Sequence, residues 1–257
     1  MRQTLQILVL CSALASTACG GNSTPQPQPA TAQTGGAKRV DPATAGSLTG
    51  RVTLTGSAPA PEVVRVANDP ACIQAMGPTV KSDAVLVAAD GGVQNAFVYV
   101  KDTLSDYAFD VPAQAVTLDQ RGCRYAPRIF GVRVGQAIDI INSDATLHNV
   151  HALPMINAEF NKGQPPQAPR MTQVFTAPEV MVRVKCDVHA WMTAYGGVMS
   201  HPFFAVTGAD GSFSITGLPP GMYQLGVWHE KFGESTQAIT IAPTQKQTAN
   251  FTLTAGK

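Results

Sequence analysis

Cys186, His189 and Met192 stand three residues apart in KCDVHAWM, residues 185–192. A thiolate, an imidazole and a thioether at that spacing are donors that one tight turn could bring to a single metal ion. Upstream, ATLHNVHAL (145–153) offers His148 and His151 as sources of a second imidazole. In an extended segment His148 shares a face with Val150, and Asn149 shares the other with His151, so only one of the two histidines joins a core-side site easily. A thiolate, two imidazoles and a weak thioether suit one copper ion cycling between Cu(I) and Cu(II), because soft sulfur favours the reduced ion and imidazole serves both. A structural zinc site usually has two or more cysteines in paired spacing, which this segment lacks.

The elements that must position these residues read as strands. In VMVRVKC (180–186), Val180, Val182, Val184 and Cys186 fall on one face, with Met181, Arg183 and Lys185 on the other. That period of two places Cys186 on the buried side at a strand end. Two further alternating runs flank Gly135 before His148. Charged residues make up only 14 % of the chain, and 23 glycines with 19 prolines supply many turns, so an all-β fold is expected. The net charge of +1, without a basic block, argues against nucleic acid as a partner.

Residues 1–18 read as a signal peptide, with Arg2 before an apolar run from Leu5 to Ala15 and small residues before Cys19. Cleavage before Cys19 resembles lipoprotein processing, although Ser16 stands where a larger aliphatic residue is usual. That resemblance implies a lipidated Cys19, an exported chain on the periplasmic or cell-surface side of a bacterial membrane, and a membrane contact through the lipid. Plain secretion is the alternative. Residues 19–47 are rich in Pro, Gln, Gly, Thr and Ala and read as a flexible linker. Export favours disulfides. Of the five cysteines, the body keeps Cys72, Cys123 and Cys186, an odd number. Cys72 and Cys123 occur in polar, loop-like contexts, so they are expected to pair and leave Cys186 for chemistry. The competing expectation bonds Cys186 to one of them.

With these residues in view, 113–200 resembles a cupredoxin, a blue type 1 copper protein, and the short Cys186-to-Met192 loop is most similar to the amicyanin and plastocyanin branch. The resemblance implies a Greek-key β-sandwich holding one copper ion through His148, Cys186 and His189, with Met192 axial and His151 outside the set. It implies that Asn149 hydrogen-bonds across to Asp187 and locks the two ligand segments together. Trp191 is expected to pack beside His189. Asp187 replaces a small hydroxyl residue and Ala190 a proline, which affects the expected potential rather than the metal. Met155, Met199 and His201 are weaker candidate ligands, and Arg124, Arg128 and Lys162 read better as solvated surface than as a partner patch.

Residues 201–257, with DGSFSITGLPPGMYQLGV at their centre, are similar to a carboxypeptidase regulatory-like β-sandwich. The opening strands of such a module resemble LTGRVTLTGSAPAP (48–61) and VQNAFVYVKD (93–102), so 48–112 is expected to complete it. The copper domain would then be inserted in, or fused to, this sandwich. His229 with Glu230 reads as a surface pair at a strand end. The expected function is single-electron transport between a redox donor and acceptor, with His189 near the surface as the electron's doorway, and the chain is not expected to be an enzyme. Copper storage or delivery, or a carbohydrate- or protein-binding module with a structural metal, are the rival readings.

Overall fold

A computed structural model describes residues 37–66 and 69–255. The signal segment and Cys19 lie outside the described residues. Strand β1 (Gly46–Thr55) is followed by β2 (Val63–Arg65), helix α1 (Pro70–Met76), β3 (Thr79–Lys81) and β4 (Phe97–Val100). Then come β5 (Val116–Gln120), β6 (Tyr125–Ala126), β7 (Ile129–Arg133), β8 (Ala137–Asn142), β9 (His148–Leu153) and β10 (Phe160–Gln164). Next are β11 (Met171–Val174), β12 (Glu179–Lys185), β13 (Thr193–Met199) and β14 (Phe204–Val206). The last are β15 (Ser212–Leu218), β16 (Gly221–His229), β17 (Gly233–Ile241), β18 (Lys246–Thr248) and β19 (Phe251–Thr254). The expected all-β architecture is present, with α1 as the one helix among the described residues.

Both ends of the described chain build one sandwich. β1 pairs antiparallel with β15 and parallel with β18 and β19. The facing sheet has the order β14-β4-β16-β17. Leu48, Val52, Val98, Phe213, Leu225 and Phe251 fill the space between them. In β1, β15, β16 and β19 these residues follow a more exposed neighbour, the pattern that makes a half-buried strand worth forming. The second sandwich sets β10-β9-β12-β13-β7 against β11-β8-β5-β6, so the chain crosses repeatedly between its two sheets. Its core includes Leu118, Ile138, Ile140, Val150, Val182 and Val184.

The two sandwiches share β4. All four of its residues, Phe97 to Val100, are buried. Val98 and Val100 enter the first core, while Phe97 and Tyr99 join Ile129 and Met199 in a cluster of their own. Gly197 in β13 allows this approach, since a Cβ there would sit 2.4 Å from the Phe97 ring.

Two expected boundaries shift. The linker does not run to residue 47: Lys38 bridges to Tyr107, Arg39 pairs with Asp110, and Val40 packs on the first core. The apolar Val40 anchors what composition alone marks as tether. Nor does 48–112 belong wholly with the first sandwich, because Val66, Cys72, Met76 and Val80 pack into the second core. The Cys72–Cys123 disulfide holds them there, as the cysteine arithmetic anticipates, and Cys186 is a buried free thiol.

Candidate metal centre

The ligand loop is the connection between two paired strands. β12 and β13 are antiparallel to the pair Lys185↔Thr193, which leaves 186–192 as the turn. Cys186 N–H donates to the Met192 carbonyl (3.2 Å) and Met192 N–H to the His189 carbonyl (2.9 Å). On the other side of β12, β9 pairs Lys185 with His151. His148, three residues earlier, is thereby carried past the end of β12 to the loop. The alternation of β9 turns His148 and Val150 fully inward, both 0 % exposed, while His151 is only partly covered.

Ligand atoms of His148, Cys186 and His189 lie within 4.8 Å of one another, and all three residues are buried. The two Nδ1 atoms are 2.9 Å apart, and His189 Nδ1 is 4.0 Å from Cys186 Sγ. Each imidazole has its outer nitrogen on a carboxylate: His148 Nε2 on Asp144 (2.9 Å) and His189 Nε2 on Asp69 (3.2 Å). A carboxylate fixes the proton on the nitrogen it faces, so each ring presents an Nδ1 lone pair inward. Two lone pairs aimed at each other in a buried space repel unless a cation or a proton lies between them, and a thiol stands beside them. These donors can hold a metal ion, and imidazole with thiolate fits copper.

The shell around the donors is tied to one covalent link. Asp69 caps α1, accepting from Cys72 N–H (3.0 Å) as well as from Thr146 (2.6 Å). Although desolvation acts to raise its pKa, these bonds and His189 hold the Asp69 carboxyl below its usual range. Asp144 accepts from the N–H groups of Gly122 and Cys123 (2.7 and 2.8 Å). The disulfide joining Cys72 to Cys123 therefore connects the carboxylates that orient the two histidines. Burial outweighs the help of Asp144 and pushes the His148 imidazole below its ordinary pKa, so it is held neutral, as a metal ligand must be.

Asn149 links the ligand segments as the resemblance implies. Its Oδ1 accepts from Asp187 N–H (2.7 Å) and lies 3.2 Å from Cys186 Sγ. Trp191 sits 5.0 Å from His189, ring centre to ring centre, and donates to the Cys123 carbonyl (3.0 Å). Asp187 turns away from the sulfur and is bound by Lys185, Asn161 and His151. The Lys185 hydrogen bond, first among these, drives its carboxyl well below the usual range. Met192 is buried in the loop at 1 % exposure.

Other expectations are corrected. His189 is only 2 % exposed, so it is not at the surface: Asp69 and Cys72 cover its outer edge. Val180 is 40 % exposed because a bulge between Glu179 and Val182 breaks the alternation, turning Glu179 inward onto the N–H groups of Met155, Ile156 and Asn157. Arg124 and Arg128 are not free surface cations, since both pair with Asp83 and Arg128 also grips Glu230. His229 is buried against Phe232 rather than paired with Glu230 at the surface. Of the weaker candidates, Met155 is 96 % exposed, Met199 is in the cluster around β4, and His201 donates to the Val100 carbonyl. Sequence reasoning missed Asp69 and Asp144. The order Asp69-Pro70 before a short apolar run is an N-cap signal that could have revealed the first.

No curated protein matches the sequence. Among solved structures, a copper-containing nitrite reductase from Thermus scotoductus SA-01 is similar at 19 % identity and a TM-score of 0.31, over 35 % of this chain and 24 % of that protein's length. A Cu(I) amicyanin variant matches at 21 % identity and a TM-score of 0.30, over 39 % of this chain and 97 % of its own. A purple cupredoxin from Nitrosopumilus maritimus matches at 18 % identity and a TM-score of 0.28, over 32 % of this chain and 98 % of its own. Residues 195–254, which carry β14 to β19, match the family model of the carboxypeptidase regulatory-like domain.

Proposed function

We propose that this protein is a type 1 copper protein that carries single electrons between redox proteins outside the cytoplasm. One observation carries the reading: a buried free thiol and two inward Nδ1 atoms share one point, while both outer imidazole nitrogens are occupied by carboxylates. His148, Cys186 and His189 would hold the ion, with the Met192 thioether as a weaker fourth donor. Copper bound there would supply a one-electron couple. The protein's own part is to keep the donors still, through Asn149 across the two segments and through Asp69 and Asp144 behind the rings. Held donors need little rearrangement when an electron arrives, which favours a carrier over an enzyme. In this reading the carboxypeptidase regulatory-like sandwich, built by β1, β4 and β14 to β19, hosts the metal-binding sandwich as an insertion. Arg2, the apolar run and Cys19 support export with a lipid anchor.

Loading the metal-free protein with Cu(II) tests the centre. An intense blue or green charge-transfer band, bleached by ascorbate and absent in Cys186→Ser, is expected. A colourless stoichiometric complex, or a band surviving that substitution, overturns the assignment. Reversible one-electron voltammetry separates a carrier from a storage protein. Fatty-acid labelling of the expressed protein, lost in Cys19→Ala, checks the anchor.

A further inference from the structure

Among the described residues, Trp191 is the one aromatic contact of His189 that also lines a surface groove. With the outer edge of His189 closed by Asp69 and Cys72, the indole is left between that histidine and a groove of about 530 Å³. Val188 and Ala190 of the ligand loop line it, together with Tyr195. Arg65, Arg183 and Lys231 also line it and are exposed, and among the described residues none of the three makes an ion pair. Arg128 and Glu230, also at the groove, neutralise each other, so Glu62 alone offsets the three free cations. Arg183 faces Tyr195 directly across β12 and β13, which fixes one positive charge beside that ring.

We infer that this groove docks the acidic face of a one-electron redox protein, and that the electron passes between partner and metal through the Trp191 ring rather than through an exposed edge of His189. The inference rests on the copper reading above. One electron leaves the reduced partner and the oxidised copper site gains it. No bond is made or broken, and no proton moves. Charge complementarity names the partner class: three unpaired cations around the groove attract a carboxylate-rich surface and raise its encounter rate, an effect that salt screens.

The test uses a plant-type [2Fe–2S] ferredoxin as the acidic probe and cytochrome c as the basic control. On the metal-free protein, the Trp191 indole N–H resonance should shift with ferredoxin at low salt and stay put with cytochrome c. In Arg65→Glu/Arg183→Glu/Lys231→Glu that shift should vanish. On the copper-loaded protein, the triple variant should lower the rate constant for reduction by ferredoxin at least tenfold at low salt, and the gap should close at 1 M salt. Trp191→Leu should lower the rate tenfold with binding kept, and Trp191→Phe should restore most of it. The three surface substitutions should leave the potential at an electrode unchanged. If the copper is redox-active at the electrode but the triple variant reacts as fast as wild type, or Trp191→Leu loses no rate, this inference is wrong and the copper reading stands. If no copper couple appears at the electrode, the copper reading itself fails.

Discussion

Removing the Cys72–Cys123 bridge should unfold the protein more easily and loosen its candidate metal site together. The two cysteines are 51 residues apart, so releasing the closed loop restores roughly 14 cal/mol/K to the unfolded chain, or about 4 kcal/mol at 25 °C. Alanine is the right replacement at both positions, which are 0 % and 1 % exposed, because a buried serine hydroxyl would add a penalty of its own. Guanidinium unfolding of the metal-free protein, followed by tryptophan fluorescence, reads the change. With a denaturant slope of about 4 kcal/mol/M, the midpoint should fall by roughly 1 M. The second effect is on the ligands. Asp69 takes a hydrogen bond from Cys72 N–H and Asp144 one from Cys123 N–H, so freeing the sulfurs unpins both carboxylates. Copper affinity should then drop by about tenfold or more, measured by competition with a chelator. A midpoint shift below about 0.25 M at that slope would refute the loop argument. Full stability loss with unchanged affinity would show that the bridge does not position the histidines.

Asp69→Asn should cost about 10- to 100-fold in copper affinity with a much smaller loss of stability, by the same competition and unfolding assays. Met192→Gln should lower the reduction potential and Met192→Leu should raise it, whereas Met199→Leu, in the cluster around β4, should move neither potential nor spectrum; voltammetry in one buffer compares all three. Burial lowers both His201 and His229 to about 4 from 6.5, so each is neutral when folded and protonates first when unfolded. Their contribution is therefore whole above pH 6.5 and is lost as the pH falls toward 4, by about 3 kcal/mol each. The accompanying structural reason is that Nδ1 of each ring accepts a backbone N–H, from Phe203 and Lys231, and has no room for a second proton. Unfolding free energy against pH should lose that slope in His201→Gln/His229→Gln.

The donors were legible in the sequence because their rules are local. Alternation along β9 separates His148 from His151, and a three-residue spacing brings Cys186, His189 and Met192 into one turn. The pairing of Cys72 with Cys123 followed from the contrast between loop contexts and a strand end. What sequence could not display are partners distant along the chain. Asp69 meets His189 across 120 residues, and Arg128 meets Glu230 across 102, so neither neighbourhood leaves a periodic trace. The exposure of Val180 failed for another reason: a bulge resets the two-residue period, and composition gives no sign of it.

The pairing of β1 also constrains the order in which the chain can become a structure. Its strand partners β15, β18 and β19 all lie beyond residue 211 and are made late during synthesis. β1 must therefore wait for these partners until the ribosome has delivered most of the chain. Strands β5 to β13 pair only among themselves and need not wait. Once folded, they hold their two flanking segments close together and shorten the loop that β1 would otherwise have to close. The half that carries the candidate ligands is thus the template for the other, and a chain truncated before Phe251 should fold those ligand segments yet present the second half of β1, Val52 to Thr55, as a sticky open edge to chaperones and to other copies of itself.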